Sequence, residues 1–456
     1  MKPLSIVVTL AAAVLVVAIG WMLGPGASWW LEHVDGVTGL QGEKLAAAVD
    51  AVRGRALAVA TGLAALAAVY YTARNADTAR RTFQLGERGH DTDRYSKAVE
   101  QLGSVQAPVR LGGLHALKQL AQDNPHLRQT VVDVFSAYLR MPYTPPEDVD
   151  RGEKLRAAQR AARNRKAEHS GPPARDSWEE RQVRLTAQRI LTDHLRWLAP
   201  RQRRRWSRAE RPPDTFWPGI RLDLTGATLL NADFRNCQIA QATFDGATFT
   251  GDARFDRTAI DHSASFNNAT FTDDARFDRT TFGHSASFNN ATFTDVRFDK
   301  ATFNSDASFG GVTFTGLAQF DDATFSHRAW FPVATFTDAS FDGAIFTDAW
   351  FVGATFTGGA SFDGVTFTQT ARFDAVTFTH GATFDAATFT RGATFQERIL
   401  SRVSLEGAQV LAFTPDDQWW QPGWRVEPNG QGGGILRRDS SPHADTGHKP
   451  GREGAA

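Results

Sequence analysis

Residues Phe255–Arg276 read FDRTAIDHSASFNNATFTDDAR, and Phe277–Arg297, which follow at once, read FDRTTFGHSASFNNATFTDVR. The second stretch repeats the first at a shift of 22 residues. Inside each, a large apolar residue returns at alternating steps. Phe244, Phe249, Phe255, Ile260, Phe266, Phe271, Phe277, Phe282 and Phe288 are 5 or 6 positions apart. No helix has that period, and a hairpin sheet alternates at two without such a return. A short strand followed by a corner fits. The small residue two before each Phe, usually Ala, then shares its side of the strand, because side chains alternate. The Thr between them points outward, where a β-branched residue suits extended backbone. Asp, Asn and Gly crowd the positions after Phe, where corners need turn formers. A shift of 22 residues is four such steps, so one coil has four sides. Each residue is expected to lie over its copy one coil below, ~4.8 Å away. From Leu222 to Ala412 the chain holds 36 blocks. That predicts roughly nine coils and a rod on the order of 40 Å long.

The opening blocks are LDLTG, ATLLN, ADFRN, CQIAQ and ATFDG (Leu222–Gly246). ATLLN and ADFRN resemble the A-(D/N)-L-x-x unit of the pentapeptide-repeat proteins. The resemblance covers about two-fifths of the chain and recurs in block after block. It implies a right-handed quadrilateral β-helix. Here Phe replaces Leu at most centres and Thr replaces Asp or Asn before it. Eleven blocks are hexads, whose corners are expected to bulge. Stacked Phe rings, each burying ~150–250 Å², would form the core. Contacts between neighbouring coils would carry the stability. Phe216, Trp217 and Pro218 are expected to close the first coil, and Trp419, Trp420 and Trp424 the last.

The single cysteine, Cys237, excludes an internal disulfide framework. It occupies a small position of the repeat and reads as a buried packing thiol. Net charge is zero, but the average hides an asymmetry. Leu222–Ala412 holds 12 Lys and Arg against 22 Asp and Glu, whereas Arg74–Arg211 holds 28 against 17. A basic region is joined to an acidic rod, a pattern that often marks an interaction surface.

Leu4–Leu23 is uncharged and apolar, and long enough to cross a hydrocarbon core of ~30 Å. A cleaved signal peptide would have a shorter apolar region and an A-x-A-like site, which GPGASWW does not offer. Trp21, Trp29 and Trp30 fit an interfacial belt. Ala56–Ala73 is a second apolar run, edged by Tyr70 and Tyr71, and is expected to be a second span. Lys2 precedes the first run, and Arg74, Arg80, Arg81 and Arg88 follow the second. The positive-inside rule puts both ends in the cytoplasm, against the vote of Lys44, Arg53 and Arg55 in the loop.

The chain is expected to divide as follows: 1–73, two transmembrane helices with a short loop; 74–144, a helical juxtamembrane region; 145–176, a disordered insert; 177–211, a helix and the basic linker RQRRRWSRAER; 212–425, the capped solenoid; 426–456, a disordered tail. Leu111, Leu114, Leu117 and Leu120 keep helical spacing, as do Val131, Val134, Phe135 and Tyr138. Ser177 and Glu180 match a capping box ahead of a Val183–Leu198 stripe that includes Ala187, Ile190, Leu191 and His194. The segment TDRYSKAVEQLGS with APVRLGGLHALKQLAQD (Thr92–Asp123) is similar to one that precedes the repeats in membrane-associated bacterial pentapeptide-repeat proteins. APVRLGGLHALKQLA also resembles a HEAT-type helix pair.

The sequence holds no phosphate loop, nucleophile elbow, dinucleotide fingerprint, H-E-x-x-H or paired-cysteine metal site. His262 and His284 should stack on one corner beside Asp261, but zinc would need further ligands. They read as exposed corner residues, and His115 and His126 as ordinary helix or turn residues. Arg254/Arg276 and Asp256/Asp278 should stack as screened charges on a solvated face. No catalytic residue, cofactor site or metal site is expected. The function expected is therefore a non-catalytic, multi-pass membrane-anchored interaction or scaffold protein, its acidic solenoid in the cytoplasm facing a protein partner. Membrane lipid would be touched by the spans; the basic linker reads first as a solvated tether, with contact to anionic lipid headgroups as the next reading. Nucleic acid is not expected. The alternative comes from the resemblance, since some pentapeptide-repeat proteins mimic DNA and bind a type II topoisomerase.

Overall fold

The computed structural model describes residues 3–146, 176–197, 212–395, 403–411, 424–430 and 433–438. It forms two compact units, Met1–Asp93 and Arg94–Ala456. The disordered insert expected over 145–176 and the basic linker Arg201–Arg211 fall almost wholly outside the described residues, as do Trp419 and Trp420.

In the first unit α1 (Pro3–Leu23) turns at Gly24-Pro25 into α2 (Gly26–His33). Ala27, Leu31 and Val52 make a small core there with Met22, Ala48 and Val49. The next helix, α3, runs over Glu43–Leu102. Its stretch Glu43–Asp77 is long and apolar enough to cross a bilayer, and only 6% of its apolar window is buried. Ala13–Leu23 and Gly26–His33 make a second candidate only if taken together, and they are bent by 82°. Among the described residues there is thus one such helix, not two straight ones. The boundary placed at residue 73 falls inside α3, which runs on without a break.

In the second unit α4 (Ala107–Asp123), α5 (Arg128–Arg140) and α6 (Ser177–Leu195) share one apolar core with the solenoid. Leu114, Leu117, Phe135 and Leu191 are buried in it beside Trp217 and Leu229. The helices cover the first coils, which would otherwise expose an open strand edge. Gln188 of α6 acts as a strand would: its amide donates to Leu230 O (2.8 Å) and accepts from Leu230 N (2.9 Å). Phe216 and Trp217 are buried at this end, as expected. The capping box is not formed. Asp176 is the N-cap and accepts from Trp178 N, while Glu180 turns into the core.

The solenoid has roughly nine turns. Its strands pair in parallel and in register, with Thr248 and Phe249 beside Thr270 and Phe271, then Thr292 and Phe293. The Phe rings pile along the axis, as in Phe249–Phe271 (centroids 4.3 Å, 3° between planes) and Phe309–Phe331 (4.6 Å, 7°). Across the tube they meet edge to face, as in Phe255–Phe266 (5.6 Å, 88°). Both arrangements suit the ring quadrupole. Alternate corners are tight turns: Thr258 N donates to Phe255 O (3.0 Å), and Arg257 between them has φ 56°. The hexad corners bulge, with a register shift after Phe293.

One expectation for the C-terminus fails. The tail placed at 426–456 begins as a hairpin, Trp424–Pro428 with Gly434–Arg438, whose second strand pairs antiparallel with Gln409–Val410. Leu436 enters the core. A Gly-rich composition suggested disorder, but an unpaired solenoid edge is a strong template for one more strand.

Candidate functional site

Four sides and four corners define the surface. In the coil starting at Phe255 the sides centre on Phe255, Ile260, Phe266 and Phe271. The corners are Asp256-Arg257, Asp261–Ser263, Asn267-Asn268 and Thr272–Asp274.

The first corner stacks one Asp per coil. In the upper coils each carboxylate is satisfied by the coil above. Ser340 donates to Asp321, Ser361 to Asp342 and Ser404 to Asp385, and the amides of Asp342 and Asp363 donate likewise. The lower coils have Arg254, Arg276 and Arg297 where those Ser residues stand. No hydroxyl is then available, and the buried oxygens Asp278 Oδ1 and Asp299 Oδ1 lack a hydrogen bond. Burial, and then the neighbouring Asp278, pushes the carboxyls of Asp256 and Asp299 above their ordinary range. Arg254 and Arg276 pair with Asp252 (2.7 Å) and Asp274 (2.8 Å), not with Asp256 and Asp278. The stacking of like charges was legible, but the direction of the ion pairs was not. Side-chain reach across a bulged corner decides it.

At the third corner the same ladder is built from amides. Asn267 Oδ1 accepts from Ser287 Oγ (2.5 Å) and Asn289 N (3.0 Å), and Asn289 Oδ1 from Ser308 Oγ and Gly310 N (both 2.7 Å). An uncharged acceptor therefore serves the position. A carboxyl with a raised folded pKa binds its proton more tightly in the native state than in the unfolded one. Its contribution is complete in acid and is lost as pH rises through the folded value. Asp299→Asn should therefore raise the melting temperature near pH 7 and flatten its fall between about pH 4 and pH 7. Thermal melts of both proteins across that window check this. An unchanged slope would reject it.

His262 and His284 do stack on one exposed corner, ring centroids 5.7 Å apart. Among the described residues no group of three or more His, Cys, Asp or Glu is arranged to hold a metal ion. His115 and His126 are exposed on the helical cap. His194 is buried instead, stacked on Trp217 at 4.0 Å with Nδ1 at 2.6 Å from Thr215 O, and burial lowers its pKa. Cys237 is buried with its sulfur 3.7 Å from Thr192 O, and burial pushes its thiol well up. A thiol held protonated is a packing group, not a nucleophile.

Two features escaped the sequence reading. The first is a buried charge cluster in the cap, where Glu180 lies between Arg110 and Arg184. The signal was available, since Glu180 and Arg184 fall at helical spacing on the apolar stripe of Val183, Ala187 and Leu191. The second is relief on the rod. On the third side the outward positions run Ser265, Ser287, Ser308, then Trp330, Trp350 and Arg372. Trp330 is 44% exposed, and Trp350 lies between the guanidinium groups of Arg328 (5.1 Å) and Arg372 (4.9 Å). On the first side the order is opposite. Arg254, Arg276 and Arg297 come first, then Gln319, Ser340 and Ser361. The small residues leave an open recess of about 730 Å³ bounded by Leu317, His380 and Trp424. Such sides offer flat relief for a macromolecule, with ladder groups already spent on the neighbouring coil.

Residues 221–397, in overlapping segments, match the profile of the family described as pentapeptide repeats (9 copies). Among solved structures the chain is similar to HetL, a pentapeptide repeat protein involved in heterocyst differentiation regulation from the cyanobacterium Nostoc sp. strain PCC 7120. Identity is 17%, the match covers 44% of this chain and 89% of HetL, and the TM-score is 0.27. No curated protein matches the chain.

Proposed function

We propose, for a chain whose residues 221–397 are pentapeptide repeats, a non-catalytic role in which an N-terminal membrane anchor holds the solenoid as a surface for protein contacts. The repeat fold supports the interaction role. Its interior is filled by Phe, and its polar groups are tied into ladders between coils. The observation that carries the anchor is the exposed apolar stretch of α3. Leu57, Val59, Leu66 and Val69 are each more than half exposed (57%, 60%, 68% and 67%). A soluble helix would not leave such a surface wet. Tyr70 and Tyr71 at its end suit an interface, and the Arg residues from Arg74 onward favour a cytoplasmic solenoid. The α1–α2 pair and the linker Arg201–Arg211 would add contacts with lipid, the linker through anionic headgroups.

Fractionation of the full chain tests the anchor. It should stay in the membrane pellet through high salt and alkaline carbonate and be released by mild detergent. Recovery in the carbonate supernatant would sink this reading, because a peripheral, charge-held protein behaves that way.

A further inference from the structure

The first and third sides are opposite faces of one tube, and their relief matches coil by coil. Gln319 and Trp330 belong to one coil, Ser340 and Trp350 to the next. Where the third side is low (Ser265, Ser287, Ser308), the first side carries the Arg column. Where the third side rises to tryptophan, the first side is low.

The corners match as well. Leu317 is 41% exposed at one edge of the first side, and Val333 is 69% exposed at the corresponding edge of the third. Asp322 and Arg328 stand at the other two edges, also in this coil. Val333 has φ 55° at a corner where the coils on either side use Gly311 and Gly353. A β-branched residue is strained there, and an exposed one gains nothing from its own fold.

We propose that a second copy of this chain occupies these faces, set beside the first by a sideways translation so that the third side of one packs on the first side of the next. A translated neighbour keeps the cyclic order of sides and corners. Its Leu317 corner then lies over Val333 and its Asp322 corner over Arg328. Apolar groups meet on one edge and opposite charges on the other, with the exposed tryptophan between them. Asp322 is paired with Lys300 at 3.7 Å but 60% exposed, so it is open to a second cation. Inverting the neighbour would set bulky against bulky. Because the two faces differ, the contact does not close, and copies add into a row. The inference rests on the solenoid being a non-catalytic interaction surface and supplies its occupant. It does not require the anchor.

Sedimentation of the full chain in mild detergent across a wide concentration range tests it. The expected result is a ladder of sizes that grows with concentration and does not stop at two. Arg328→Asp should weaken association roughly 10-fold or more, and Asp322→Arg likewise, because each sets like charges together. The double variant should recover to within about threefold, since each copy then offers the reversed pair. Arg is tolerated at this turn position: Arg257 and Arg279 hold it with φ 56° and 58°. A single monomeric species, a closed dimer, or a double variant no better than the singles would overturn the proposal. Rows formed by a chain that fails the carbonate test would remove the anchor and leave this inference. A membrane-held monomer would do the reverse.

Discussion

Replacing Phe298 by Ala should lower stability by about 3–5 kcal/mol, among the largest losses any single truncation in the rod can cause. Phe298 is fully buried in the middle coils. Its ring is stacked between Phe277 (4.7 Å) and Phe320 (4.9 Å) and meets Phe288 and Phe309 edge-on (5.4 and 5.8 Å). Truncation removes all four contacts. The cavity cannot collapse, because the backbone ladders of the coils above and below fix the walls. A solenoid transmits such a defect along its axis, since each coil is stable only against its neighbours. Phe298→Leu should cost much less, about 1.5 kcal/mol or under. The fold already places Leu229, Ile260 and Leu405 in equivalent inward positions. Phe395→Ala, which among the described residues has a stacked ring on one side only (Phe373, 4.9 Å), should lie between the two. Urea unfolding followed by tryptophan fluorescence reads all three. Equal losses at Phe298 and Phe395 would contradict nearest-neighbour stacking.

Glu180→Ala should destabilise the helical cap by about 3–5 kcal/mol. Arg110 and Arg184 are 0% and 1% exposed, and Glu180 is the acid between them, at 3.2 and 3.1 Å. Tyr138 Oη donates to the same carboxylate at 2.8 Å, and burial with this bond pushes its phenol up. Each guanidinium also ties a chain end. Arg184 donates to Leu139 O (2.9 Å) and Met141 O (2.6 Å) at the end of α5. Arg110 donates to Ser104 O (3.0 Å) and Val105 O (2.5 Å) just after α3. Removing Glu180 leaves two cations in an apolar core with no counter-charge. The cluster need not be more stable than an apolar core would be. Its effect is to fix where α3, α5 and α6 end against one another. Near-UV circular dichroism should report loosened packing around Tyr138 in the variant. A loss under about 1 kcal/mol would mean that water or a shift of the helices compensates the charges.

The repeat was legible because its information is local. A ring every five or six positions and a turn former after it state the strand, the corner and the number of sides, and the duplication at Phe255–Arg297 states the coil. Inward and outward positions follow from alternation alone, so the Phe core and the place of Cys237 needed no coordinates. The same reading found the helices and the apolar runs before the repeats, but not that the helices pack on the first coils. It could not find what depends on residues far apart in the chain. Glu180 was assigned to its own helix end, because a capping box is a local pattern. Its partner Arg110 lies 70 positions away and is brought there only by packing of α4 on α6. The hairpin on the last coil and the matched heights of Trp330 and Gln319 are likewise set by the folded tube. Periodic spacing fixes which residues share a side. Only the closed tube, with its bulged corners and its two covered ends, fixes which side chains reach each other.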